Sequence, residues 1–170
     1  MRLGGPRESR LPVFIPHVSE DDKLANQIYR QLRIDHEIPC YPENVDYVAN
    51  PAGVSKTIID SLGFCTGMIA VAALKNSRNW QTAYALGVAG CTQRLLAVFI
   101  AMPEDEVPDF LRQFPLLSTP GDVQQFAHFF KTHSPSIGKT LRSEEQCADE
   151  TNARRACEEF TRRLKVALGQ

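Results

Sequence analysis

Apolar residues in this chain fall into short runs separated by polar, turn-rich stretches, and the spacing inside each run predicts its element. Five runs are short, continuous and bounded by turn residues, as buried strands are: Leu11-Pro-Val-Phe-Ile15, Ile38-Pro-Cys-Tyr41, Met68-Ile-Ala-Val-Ala-Ala-Leu74, Leu95-Leu-Ala-Val-Phe-Ile100 and Leu116-Leu-Ser-Thr119. Between the first two, Leu24, Ile28 and Leu32 recur at helical spacing with Ala25 and Tyr29 beside them, the stripe of an amphipathic helix packed on a sheet. Ser19 is a suitable N-cap for that helix, and Glu20, Asp21 and Asp22 stand where its dipole favours negative charge. Pro16-His17-Val18 then reads as the turn after the first strand.

Pro42 to Gly53 has turn residues and no apolar period, so it is expected to be a long loop, and loops of that length in compact domains tend to be functional. A helix from about Val54 to Leu62 follows. Ser77 to Ala89 reads as polar turn and helix between the third and fourth strands, which makes a βαβ unit. Pro108 to Phe114 is a short helix with proline at its first position, and Asp122 to Lys131 a helix with Val123, Phe126, Ala127 and Phe130 on one face. His133 to Lys139, with its serines, proline and glycine, reads as a linker. Ser143 to Leu168 is a long charged helix with a narrow apolar stripe, suited to docking on the domain or on a second copy.

Alternating strands and helices define a doubly wound α/β sheet of four to five parallel strands, flanked by helices. Residues 1–10 are expected to be a disordered tail, 11–133 the α/β domain, and 134–170 a linker with a C-terminal helical extension. In such sheets ligands sit outside the carboxyl ends of the strands. Ser77, Arg78, Asn79 and Trp80 therefore fall at the functional edge, with Tyr84 and Ala85 one helical turn further in.

Composition narrows the classes. With 170 residues and a net charge of −1, the chain has the length for one real core and lacks a strongly basic nucleic-acid footprint. Its longest apolar runs are about seven or eight residues, well short of a membrane span. Met1 to Arg10 is polar and Gly-rich, unlike a signal peptide. The five cysteines are odd in number, scattered and never form a CxxC pair, which favours a reducing, cytoplasmic compartment and argues against zinc. No metal-ligand spacing is visible.

Candidate residues each have a plain structural alternative. His17 has the chemistry of an acid or base, though a histidine bonded to backbone is the commoner arrangement. Trp80 and Tyr84, four apart on one helix face, either stack on a nucleobase or pack. Tyr47 in the long loop suits a stacking lid as well as simple exposure; Lys56 could meet a phosphate and Asp21 and Asp22 a ribose, though for these three a solvated surface position is the commoner arrangement. Gly87 and Gly90 carry a helix-propensity penalty that close packing of the helix would explain.

Taken in order, these segments resemble the Toll/interleukin-1 receptor (TIR) family, in particular its bacterial NAD⁺-processing type. Val13-Phe-Ile-Pro-His17 with Ser19-Glu-Asp-Asp22 is similar to the opening of such domains, where Pro16 replaces a usual serine. Ile38 to Tyr41 and the following loop resemble the second strand and BB loop. Ser77-Arg-Asn-Trp80 and Tyr84-Ala-Leu-Gly-Val-Ala89 resemble the family's Ser/Trp turn and Glu-Ile-Gly-x-Ala helix, and Pro108 to Thr119 a segment of bacterial members. The resemblance spans about Leu11 to His133 and implies a flavodoxin-like sheet.

It also implies a chemistry. Enzymatic members cleave the nicotinamide–ribose bond of NAD⁺, some cyclising the product into an ADP-ribose-type signal for antiviral defence. NAD⁺ is then the substrate, with no separate cofactor. Binding would fall to His17, Ser19, Tyr47, Ser77, Trp80 and Tyr84, and the catalytic glutamate's position is Ala85. No carboxylate lies between Ser77 and Ile100 to replace it. A carboxylate placed where positive charge develops is worth on the order of 10²–10³-fold in rate. The chain thus reads as an inactivated form, either a natural pseudoenzyme or an engineered alanine. Partners implied are NAD⁺, further copies through TIR–TIR contacts and a downstream effector of the signal, without nucleic acid or membrane. The alternatives are a nucleoside 2-deoxyribosyltransferase-like enzyme, which also carries glutamate in a Tyr-Glu-x-Gly-x-Ala-like stretch, and a non-catalytic TIR adaptor.

Overall fold

A computed structural model describes residues 12–44, 51–73, 80–140 and 146–170. Five strands, β1 (Val13–His17), β2 (Cys40–Asn44), β3 (Gly67–Ala73), β4 (Leu95–Ala101) and β5 (Leu116–Leu117), form one parallel sheet in the order β2-β1-β3-β4-β5. This is a doubly wound, flavodoxin-like α/β architecture, with helices on both faces.

The faces follow from the two-residue period of a strand. Val13, Ile15, Ile69, Val71, Leu95, Ala97 and Phe99 belong to one apolar cluster, and the residues between them, Phe14, Met68, Ala70, Ala72, Leu96 and Val98, to another. Helix α1 (Asp22–Arg30), α4 (Pro120–Thr140) and α5 (Gln146–Leu168) cover the first face with Ala25, Ile28, Phe126, Phe130 and Phe160. Helix α2 (Pro51–Phe64) and α3 (Trp80–Cys91) cover the second with Ile58, Leu62, Ala85, Leu86 and Ala89. Between β4 and β5 two 3₁₀ turns replace the expected short helix, and Val107 and Leu111 complete that second face.

Several boundaries differ from the sequence reading. β1 runs two residues further, so His17 ends a strand instead of occupying a turn. Ser19 begins a 3₁₀ turn (Ser19–Asp21) ahead of α1, and Asp21, which precedes α1, makes no side-chain capping bond. β2 likewise extends to Asn44 and α2 begins at Pro51, so both ends of the expected long loop are regular structure.

The largest correction concerns the expected linker. α4 continues through His133 to Lys139 with Pro135 inside it, burying His133, Ser134 and Ile137. Polar composition argued for a loop, but packing against α5 outweighs propensity over this stretch. Phe126 stacks on Phe130 at 5.7 Å between ring centroids and meets Phe160 of α5 edge-on at 5.6 Å. Ala153, Phe160 and Leu164 have almost no exposed surface, so α5 docks on its own domain.

Candidate functional site

The chain leaves β1 toward β2 on one side of the sheet and toward β3 on the other, so the topological switch point lies between β1 and β3. Their ladder is short there. Only Val13 with Gly67 and Phe14 with Met68 are in register, whereas β3 and β4 pair along all of Gly67–Ala73. The carboxyl-terminal halves of β1 and β3 therefore run on without a ladder between them, beside Pro16, which has no N–H to contribute. In such sheets a ligand sits outside the strand carboxyl ends at the switch point.

His17 closes β1 at this edge. Its side chain is 2 % exposed and tied at both nitrogens: Nδ1 lies 2.9 Å from the Ile15 carbonyl oxygen and Nε2 lies 2.8 Å from Oδ1 of Asp22. Both ring nitrogens thus lie within hydrogen-bond distance of an oxygen acceptor. This pairing joins the end of β1 to the first turn of α1 and fixes the loop between. It makes His17 a positioning group for the edge, with its ring nitrogens already engaged.

The other expected site residues separate. Ser19 is exposed in the turn after β1, on the same edge. Trp80 is the first residue of α3, with its side chain outside the described residues. Tyr84 is half-buried against the α2–α3 cluster. Tyr47 and Ser77 lie outside the described residues, as do Arg78 and Asn79. Lys56 is exposed on α2.

Ala85 has no exposed surface and belongs to the apolar cluster with Phe14, Ile58, Met68, Ala70 and Leu86. The position matched to the family's glutamate is, in this chain, part of the hydrophobic interior. A carboxylate introduced there would cost several kcal/mol unless protonated or paired. Gly87 and Gly90 of the same helix are exposed, with nothing within 4 Å of a would-be Cβ, so close packing within the chain does not account for them. The described carboxylates beside His17 are Asp22, engaged with the imidazole, the largely buried Asp21 and the exposed Glu20.

The Asp22 partnership of His17 was not anticipated; an acid five residues after a strand-end histidine was its one sequence signal. Two clefts lined by described residues lie elsewhere. One of about 540 Å³ borders the start of β2 beside Tyr29, Arg33 and Tyr41, where the Arg33 guanidinium sits 5.6 Å from the Tyr29 ring centroid. The other, of about 560 Å³, lies at the amino-terminal end of β4 and is lined by Arg94, Phe114 and Arg154. Among the described residues no group of three or more His, Cys, Asp or Glu could hold a metal ion, and no helix is long and apolar enough to cross a membrane.

Fold and edge together define the class: an open, doubly wound α/β domain whose switch point lies between β1 and β3, with a clamped histidine at the end of β1. The chain matches no protein-family model and none of the curated proteins with which it was compared.

Proposed function

We propose that this chain is a TIR-like domain that holds NAD⁺ or a related nucleotide at the β1–β3 edge without cleaving its nicotinamide–ribose bond. The observation that carries the reading is the interrupted β1–β3 ladder at the switch point, edged by His17 and Ser19 and followed in sequence by the Trp80–Tyr84 helix start. Loss of nicotinamide leaves positive charge on the ribosyl group, and a nearby carboxylate stabilises it. At position 85 this chain offers a buried methyl group, and Asp22 is engaged with His17. The domain acts in a reducing cytoplasm, assembles with further copies of itself, and belongs with proteins whose active members make a nucleotide signal for a downstream effector.

Calorimetric titration with NAD⁺, combined with an assay for released nicotinamide, tests this. Saturable NAD⁺ binding without nicotinamide release is the expected result. Absence of NAD⁺ binding overturns it, as does steady nicotinamide release by the unaltered chain.

The enclosure of Ala85 among Phe14, Ile58 and Leu86 favours a second reading, a non-catalytic scaffold that acts through contacts between copies. Titration with NAD⁺ separates the two: the parent binds it under the first reading, whereas under the scaffold reading it binds none and assembles with increasing concentration. Under both, Ala85→Glu loses stability, most at high pH where the acid must ionise.

A further inference from the structure

We infer a second binding site, for an organic anion with an apolar body, in the cleft at the amino-terminal end of β4. It is independent of the nucleotide reading, because it lies at the end of the sheet opposite the switch-point edge. The cleft, about 560 Å³, has the size of small-molecule sites. Its apolar lining includes Leu96 of β4 and Phe114 from the segment before β5, and Arg154 and Thr161 of α5 also line it.

Arg94 supplies the reason for an anion. It is 7 % exposed, and its guanidinium donates from Nε and Nη2 to the Leu62 carbonyl at 3.0 and 2.8 Å and from Nη1 to the Thr92 carbonyl. These contacts use three of its five N–H groups. Among the described residues no carboxylate forms an ion pair with it. Burial accordingly pushes the guanidinium below its ordinary range, with Cys65 and Cys157 opposing the shift.

The rim tips the same way. Arg154 is exposed, and Arg162 is occupied by Glu159 at 2.7 Å. Glu158 also lines the cleft, so the balance is Arg94 and Arg154 against one acid. A buried cation held only by carbonyls, beside an apolar cleft with a second cation at its mouth, fits a carboxylate head on a hydrocarbon or aryl body. An uncharged apolar molecule would leave Arg94 uncompensated, and inorganic phosphate would leave the apolar lining unused.

Decanoate, decanol and inorganic phosphate are the probes, titrated into the full chain and followed by amide chemical shifts. Decanoate is expected to bind at one site and to shift the amides of Gly90, Gln93, Gln113 and Thr161. Decanol and phosphate should bind about tenfold more weakly or worse. Thr161→Trp, which fills the cleft from its α5 wall, should abolish binding, and Arg154→Glu should weaken it several-fold. Arg94→Gln tests the buried cation directly; because it also loosens the Leu62 carbonyl, the two rim variants carry the test if it fails to fold. Equal affinity for decanol, shifts that map to another surface, full binding by Thr161→Trp, or no decanoate binding would each overturn the inference.

Discussion

The Phe130 ring of α4 lies where a side chain on residue 67 would stand. A Cβ built on Gly67 comes 2.6 Å from Cε2 of Phe130 and 3.1 Å from the Leu95 carbonyl oxygen. The first residue of β3 is thus glycine because a helix on one face of the sheet presses against its backbone. Phe130 cannot withdraw, since it is buried and stacked on Phe126. Gly67→Ala should therefore destabilise the domain by roughly 1–3 kcal/mol in urea unfolding, as overpacking does. Combining it with Phe130→Leu should cost less than the sum of the two single changes, because both act on one contact.

Phe160 decides whether α5 belongs to the domain. Its ring is fully buried, edge-on to Phe126 and 6.0 Å from the His133 imidazole centroid. Phe160→Ala should cost about 3–5 kcal/mol. Arg155→Ala, at an exposed position on the same helix, should stay within about 0.5 kcal/mol. Equal effects of the two in thermal or urea unfolding would mean that α5 is not part of the cooperative core.

Asp22 is the partner of a histidine nitrogen that has almost no access to water. Asp22→Ala should destabilise the fold by about 1–3 kcal/mol, since it leaves Nε2 of His17 unsatisfied. Asp22→Asn retains an oxygen acceptor and should recover part of that loss. Urea midpoints of the three proteins at one pH give the comparison.

Alkaline pH should weaken the fold through two thiols. Burial raises Cys40 from an ordinary 9.0 to about 12 and Cys157 to about 11. Both stay protonated when folded, so their stabilisation is complete below about pH 9, where the unfolded thiols are also neutral, and is lost as pH rises toward the folded values. For Cys40 the full loss approaches about 4 kcal/mol. Unfolding free energies at about pH 8 and about pH 10.5 should therefore fall less steeply for Cys40→Ala than for the parent. At neutral pH a thiol reagent should label the exposed Cys91 of the native chain well before Cys40, Cys65 or Cys157.

Much of the fold was legible in the chain. The runs around Val13, Met68 and Leu95 are short, apolar and bounded by turns, and strands buried on both faces have that pattern regardless of their neighbours. The stripe of Leu24, Ile28 and Leu32 marks α1 and the turn that continues it for a similar reason: an amphipathic period records which face is buried, and Ile28 and Leu32 are buried with Leu24 packed beside them. What failed was local composition. His133 to Lys139 has the serines and proline of a linker, yet is helix because its inner residues are held against α5.

The sequence by itself determined the alternation of strands and helices, the parallel sheet and the absence of an acid in the α3 segment, since these are written in period and residue type along a continuous stretch. Only the tertiary structure decided that Ala85 lies in the interior, that His17 is clamped by Asp22, and that Gly67 receives Phe130. It alone assembled Arg94, Phe114 and Arg154 around one cleft. Those relationships join residues far apart in the chain or choose between the faces of a helix, and no local period encodes which distant surface will come to cover a given side chain.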